Sequence, residues 1–142
     1  MAGWRSIPLL AAALALGACG ASAATGDGAD DAATAPAAAV ATLTPTELSG
    51  LLENGNIRLI DVRTDEEVAE GTIPGAEHIA IDSFDPAALD LSDGREVVLY
   101  CRSDRRSGIA AEKLAEHTGE TARHLDGGIL AWEAAGLPIA AR

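Results

Sequence analysis

The sequence predicts an α/β domain in which a parallel sheet of about five strands is flanked by helices on both faces. Three observations lead there. Short runs rich in Val, Ile and Leu alternate with helix-length stretches that open on capping residues. One run, "EVVLY" at residues 96–100, is apolar through its centre, as a strand covered on both faces must be. About one hundred residues follow a low-complexity N-terminal part, enough for one domain with one core.

The elements follow in order. A short strand spans 40–43, and "TPTE" opens a helix with Thr44 as cap, Pro45 in the first turn and Glu47 closing a capping box. That helix stops near Asn54 and Gly55. "IRLIDVR" supplies a strand ending at Asp61, and Thr64 caps a helix in "TDEEVAEG" that Gly71 terminates. "GAEHIA" is a short extended segment, and "DSFDPAALDLSDG" is a loop with one or two helical turns before "EVVLY". The helix "SGIAAEKLAEH" is expected to bury Ile109, Ala110, Ala111, Leu114 and Ala115 and to turn Glu112, Lys113 and Glu116 to water. "TARHLDGG" is the last strand, and Gly127 and Gly128 lead tightly into "ILAWEAAG", with Ile129 and Trp132 on one face.

Ahead of the domain, residues 1–18 have an arginine, an apolar run and small residues, as an export signal does. "LGAC" resembles a bacterial lipobox, which would make Cys19 the lipidated first residue of the mature chain. The alternative is an ordinary secretory signal cut after Ala23. Residues 19–39, rich in Ala, Thr, Gly and Asp, have almost nothing to bury and read as a disordered tether. The expected location is the bacterial cell envelope, lipid-anchored on a periplasmic or outer membrane face, or else soluble in the periplasm or secreted. The domain then spans 40–142.

A formal net charge of −12 argues against nucleic acid or an anionic membrane surface as a partner. Membrane contact would run only through the N-terminal lipid. The chain has 2 cysteines, so once Cys19 is set aside Cys101 has no intramolecular disulfide partner.

Within this acidic chain, "CRSDRRS" at 101–107 gathers three arginines around that thiol. Cys101 follows a central strand and precedes a helix, where open α/β folds place their ligands. Backbone N–H groups and the helix N-terminus favour an anion there, and Arg102, Arg105 and Arg106 add positive potential and planar donor forks. Such surroundings stabilise a thiolate, which makes Cys101 a candidate nucleophile, against the plainer reading of a buried, inert cysteine. His78, His117 and His124 show no metal-like spacing with Cys101, so no metal is expected. His78 reads as a structural histidine.

Four stretches together resemble a single rhodanese domain: "IDVRTDEEVAEGTIPGAEHI", "VVLYC", "CRSDRRS" and "LDGGILAWEAAGLP". The resemblance covers nearly all of the expected domain and implies a rhodanese-like, thiosulfate-type sulfurtransferase needing no cofactor. It implies Cys101 as the persulfide-carrying nucleophile and Arg106 as its catalytic arginine. Arg102, Ser103, Asp104, Arg105 and Ser107 would bind the substrate, and Asp61 and Arg63 would brace fold and loop. Asp104 stands where the family usually has glycine, and would pair with Arg102 or Arg105 or point to solvent. Cys101 to Arg106 is six residues, the length the resemblance associates with sulfurtransferases; related phosphatases carry one more. The implied partners are a small anionic sulfur donor and a thiol or cyanide acceptor. The alternatives are a tethered persulfide carrier serving an exported protein partner, and a thiol redox protein.

Overall fold

The computed structural model describes residues 38–141. The expected signal, Cys19 and most of the expected tether lie outside the described residues. Strand β1 (Val40–Leu43) leads to helix α1 (Pro45–Asn54), then come β2 (Ile57–Asp61), α2 (Asp65–Glu70) and β3 (Glu77–His78). Two single 3-10 turns, Ile81–Ser83 and Pro86–Ala88, precede β4 (Glu96–Tyr100), α3 (Arg105–Thr118), β5 (Ala122–Leu125) and α4 (Gly128–Ala134). All five strands are parallel, in the order β1-β5-β4-β2-β3.

The capping signals act as the sequence implies. The Thr44 and Glu47 backbone N–H groups are each satisfied by the other residue's side chain, at 2.8 and 3.3 Å. Thr64 and Glu67 repeat the device at α2, at 3.1 and 3.4 Å.

Alternation along the strands divides the core in two. Ile60, Val62, Val97, Leu99 and Cys101 face α3 and the 3-10 turns. Leu59, Val98, Tyr100 and Leu125 face the other layer, with Leu48 of α1 and Ile129 and Trp132 of α4. Val98 and Leu99 have no exposed surface. Burying such a side chain contributes about 1.5–3 kcal/mol, which offsets the about 1–2 kcal/mol that ordering one residue's backbone costs, whereas the exposed loop residues have no such offset. The buried strand, rather than its polar loop, therefore fixes where Cys101 lies.

Helix α3 corrects two expectations. It begins at Arg105, two residues before Ser107, so Arg105 and Arg106 belong to its first turn. Ile109 is 41% exposed instead of buried. At 3.6 residues per turn it shares a face with Glu112, Lys113 and Glu116, while Ser107, Ala110, Ala111, Leu114 and Ala115 form the covered stripe.

Candidate active site

Cys101 leaves β4 at the carboxyl edge of the sheet, is 1% exposed, and is a free thiol. The chain then turns back through Arg102, Ser103 and Asp104 into α3. Asp104 has φ 99°, the sole positive φ outside glycine among the described residues. Such a conformation costs a side-chain-bearing residue about 1–3 kcal/mol. The surroundings hold it: the Asp104 carbonyl accepts the Ser107 hydroxyl and the Gly108 N–H, each at 2.8 Å. Its carboxylate makes no side-chain cap to α3 and no ion pair with Arg102 or Arg105 among the described residues.

The turn aims donors at sulfur. The Asp104 N–H points to Cys101 Sγ at 3.1 Å, and the Ser107 hydroxyl lies 3.5 Å from it. Burial opposes the thiolate. The Ser107 hydroxyl and the backbone N–H groups of Ser107, Ser103 and Asp104 outweigh that penalty, so the Cys101 thiol titrates below the ordinary range.

The three arginines divide their work. Arg102 and Arg105 are exposed, and Arg106 is half-buried. Arg106 donates through both terminal nitrogens to the Glu67 carboxylate, at 2.6 and 2.8 Å. This bidentate bond pushes the Glu67 carboxyl down to about 2, and Glu67, followed by the nearby Cys101 sulfur, holds Arg106 more firmly protonated. Arg106 is thus a fixed charge beside the sulfur.

Behind the loop, Asp61 and Arg63 form a buried pair. Arg63 Nε and Nη2 donate to Asp61 at 2.9 and 2.6 Å, and its two terminal nitrogens donate to the carbonyls of Glu67 (3.0 Å) and Gly71 (2.6 Å). The Tyr100 hydroxyl donates to Asp61 Oδ2 at 2.6 Å and meets Thr72 Oγ1 at 2.7 Å. The Arg63 guanidinium also lies 5.7 Å from the Tyr100 ring centroid. The network ties the last residue of β4 to the ends of β2 and α2. His78 joins it structurally, with Nε2 2.8 Å from the Arg63 carbonyl.

A third support comes from α4. The N–H groups of Ile129 and Leu130 donate to the carbonyls of Cys101 (2.9 Å) and Arg102 (3.2 Å). Gly128, with φ 60°, permits this approach, because a Cβ there would stand 2.5 Å from the Cys101 oxygen. A crevice of about 140 Å³ opens beside the loop, lined in part by Glu67, Glu70, Arg102, Leu130 and Glu133. A larger hollow of about 310 Å³, lined in part by Leu91, Val97, Leu114 and Ala122, lies at the amino ends of β4 and β5, away from the thiol.

Sequence reasoning missed three contributors. Glu67 is one of several acids in "TDEEVAEG" with nothing local to single it out, Tyr100 is masked by its place in an apolar strand, and His124 by the absence of any metal-like spacing. His124 is 8% exposed, on the α3 face of β5, with Nδ1 3.2 Å from Ser107 Oγ.

Fold and site together define the class: a parallel α/β domain built around one acidified thiol in a loop that leads into a helix. The chain belongs to the family of rhodanese-like domains, whose profile matches residues 44–135. It is 37% identical over 97 residues to an uncharacterized protein from Synechocystis, covering 68% of this chain and 54% of that protein. The chain thus spans about half the length of that relative. It is 36% identical over 106 residues to "Thiosulfate:glutathione sulfurtransferase" from Homo sapiens, covering 64% of this chain and 91% of that protein. Among solved structures, a thiosulfate sulfurtransferase from Pseudomonas aeruginosa superposes with a TM-score of 0.62 at 32% identity, over 70% of this chain and 19% of that one.

Proposed function

We propose that this protein is a sulfurtransferase that moves sulfane sulfur from thiosulfate or a similar donor to cyanide or a thiol through a persulfide on Cys101. The observation that carries the reading is the cradle itself: a buried free thiol at the carboxyl end of β4 with the Asp104 N–H 3.1 Å and the Ser107 hydroxyl 3.5 Å from its sulfur. Two relatives whose names include thiosulfate sulfurtransferase chemistry support the same reading.

The Cys101 thiolate attacks the outer sulfur of thiosulfate. The S–S bond of the donor breaks, sulfite leaves with the bonding pair, and a Cys101 persulfide anion remains. The acceptor then attacks the terminal sulfur, leaving as thiocyanate or a new persulfide, and the Cys101 thiolate returns. The loop donors stabilise negative charge on either sulfur, with Arg106 as a fixed positive charge beside them. Arg102 and Arg105 attract and orient the anionic donor, which Ser103 contacts. Asp61 and Arg63 act from behind the loop as positioning residues. The proposed setting is the cell envelope, with Cys19 as tether, on the strength of "LGAC" and the segment before it.

One observation favours a second reading, a persulfide carrier serving an exported protein partner with little turnover on small donors. Asp104 places a carboxylate with no ion partner among the described residues next to the cradle, and it would repel a doubly charged donor.

The test is sulfite release and thiocyanate formation from thiosulfate and cyanide, with Cys101→Ser as control and intact mass after thiosulfate alone. Turnover lost in the control, with about 32 Da gained on Cys101 in the parent, is expected. No adduct and no turnover would refute the thiosulfate reaction and leave the carrier reading.

A further inference from the structure

His124 takes no part in the transfer steps above, yet it is a buried polar side chain one hydrogen bond from the group that touches the sulfur. On β5 it pairs with Thr42 of β1 and Leu99 of β4. Strand alternation turns its ring toward α3, where a Cβ on Gly108 would stand 3.6 Å from ring Cε1, so ring and helix are in close contact.

The hydrogen count around Ser107 decides what the ring does. The hydroxyl has one hydrogen and three neighbours: the Asp104 carbonyl at 2.8 Å, Cys101 Sγ at 3.5 Å and His124 Nδ1 at 3.2 Å. The carbonyl and a thiolate can only accept. If Nδ1 also accepted, three acceptors would share one hydrogen, and two lone pairs would face each other in a buried space. If Nδ1 carries hydrogen, the ring donates to the Ser107 oxygen, and the hydroxyl hydrogen is left for the carbonyl or the sulfur. The Asp104 carbonyl keeps the Gly108 N–H at 2.8 Å either way, so it loses little when the hydroxyl swings to sulfur.

We infer that His124 is a positioning residue of the sulfur cradle: by donating from Nδ1 to Ser107, it turns the Ser107 hydroxyl onto the anionic sulfur of Cys101. The inference rests on Cys101 as the reacting thiol. It acts through the tautomer rather than through charge. Burial lowers the His124 pKa from its ordinary value against the opposing pull of Asp104, Asp126 and Glu112, so the ring is neutral at neutral pH. These three carboxylates are the groups whose charge reaches the ring, and Arg106 is the cation beside the sulfur.

The test uses the full chain carrying Cys19→Ser, so that Cys101 is the sole thiol, and titrates the thiolate by its absorbance near 240 nm. This readout needs no sulfur donor, so its outcome is independent of whether thiosulfate is a substrate. His124→Leu is expected to raise the Cys101 pKa by about half to one pH unit, and Ser107→Ala by at least as much. With Ser107→Ala already present, His124→Leu is expected to add no further rise. His124→Asn, whose amide nitrogen can occupy the place of Nδ1, restores most of the parent value. An unchanged thiol in His124→Leu, or an equal rise with and without Ser107, would overturn the inference. If the leucine variant does not fold, His124→Gln replaces it: its amide reaches past the Nδ1 position, so it is expected to leave the pKa raised where asparagine does not, and equal values for the two would count against the relay.

Discussion

Replacing Glu67 with glutamine probes the ion pair that joins α2 to the first turn of α3. Glutamine keeps the shape and, with its oxygen in the place of Oε2, the capping-box acceptor for the Thr64 N–H, so the loss reports the charge opposite Arg106 together with the Nη2 hydrogen bond to Oε1. The Glu67 carboxyl is pushed down to about 2 from an ordinary 4.5. At about 1.4 kcal/mol for each tenfold change in proton affinity, that gap caps the contribution at about 3.5 kcal/mol. The Arg106 and Glu67 side chains are 28% and 22% exposed, so water screens the pair and the expected cost is about 1–2 kcal/mol. For a domain of this size that is a fall of about 5–10 °C in melting temperature at pH 7. Because the carboxyl is depressed in the folded state, the parent's advantage is complete above its unfolded pKa near 4.5. It is lost as pH falls through about 2. Thermal melts at pH 7, 5.5 and 3 should therefore show one gap at the first two values and a narrower one at the third. No gap at pH 7, or a gap that stays constant down to pH 3, would refute the reasoning.

Two further substitutions probe the loop. Asp104→Gly removes both a strained φ of 99° and a carboxylate beside the cradle. It should stabilise the fold by about 1 kcal/mol in denaturant unfolding and lower KM for thiosulfate several-fold, and equal stability would show that the conformation carries no strain. Gly128→Ala places a methyl 2.5 Å from the Cys101 oxygen and 2.6 Å from the Arg102 carbonyl carbon. It should cost about 2 kcal/mol or more and most of the turnover, measured by thermal melt and thiocyanate formation, whereas retained activity would mean that the loop does not depend on this approach.

Much of the fold was legible because its signals are local. Thr44 with Glu47, Thr64, Gly71 and the run at residues 96–100 mark ends and interiors by chemistry within a few residues. Cys101 stood out for the same reason, by adjacency to arginines. What was not legible depends on elements distant in sequence. Glu67 meets Arg106 only because β2 lies beside β4, and His124 meets Ser107 only because β5 lies on the other side of β4. Tyr100 is next to Cys101 in the chain yet faces the opposite layer, where Asp61 waits at the end of the adjacent strand. Ile109 misled because it is apolar and adjoins the buried alanines, while the true helix phase puts it with the charged residues.

The paired hydrogen bonds from α4 to the loop have an electronic consequence at the sulfur. A trans peptide unit is planar, with its C=O and N–H directed oppositely. Fastening the Arg102 carbonyl to the Leu130 N–H therefore turns the other end of that unit, the Ser103 N–H, toward the opposite side, where it is one of the donors that lower the Cys101 pKa. Part of the thiol's acidity is thus set by the start of a helix that is bonded to the loop's carbonyls. A movement of α4 that lengthened this bond would free the peptide plane to rotate, making the thiol a weaker acid and less of it thiolate at neutral pH.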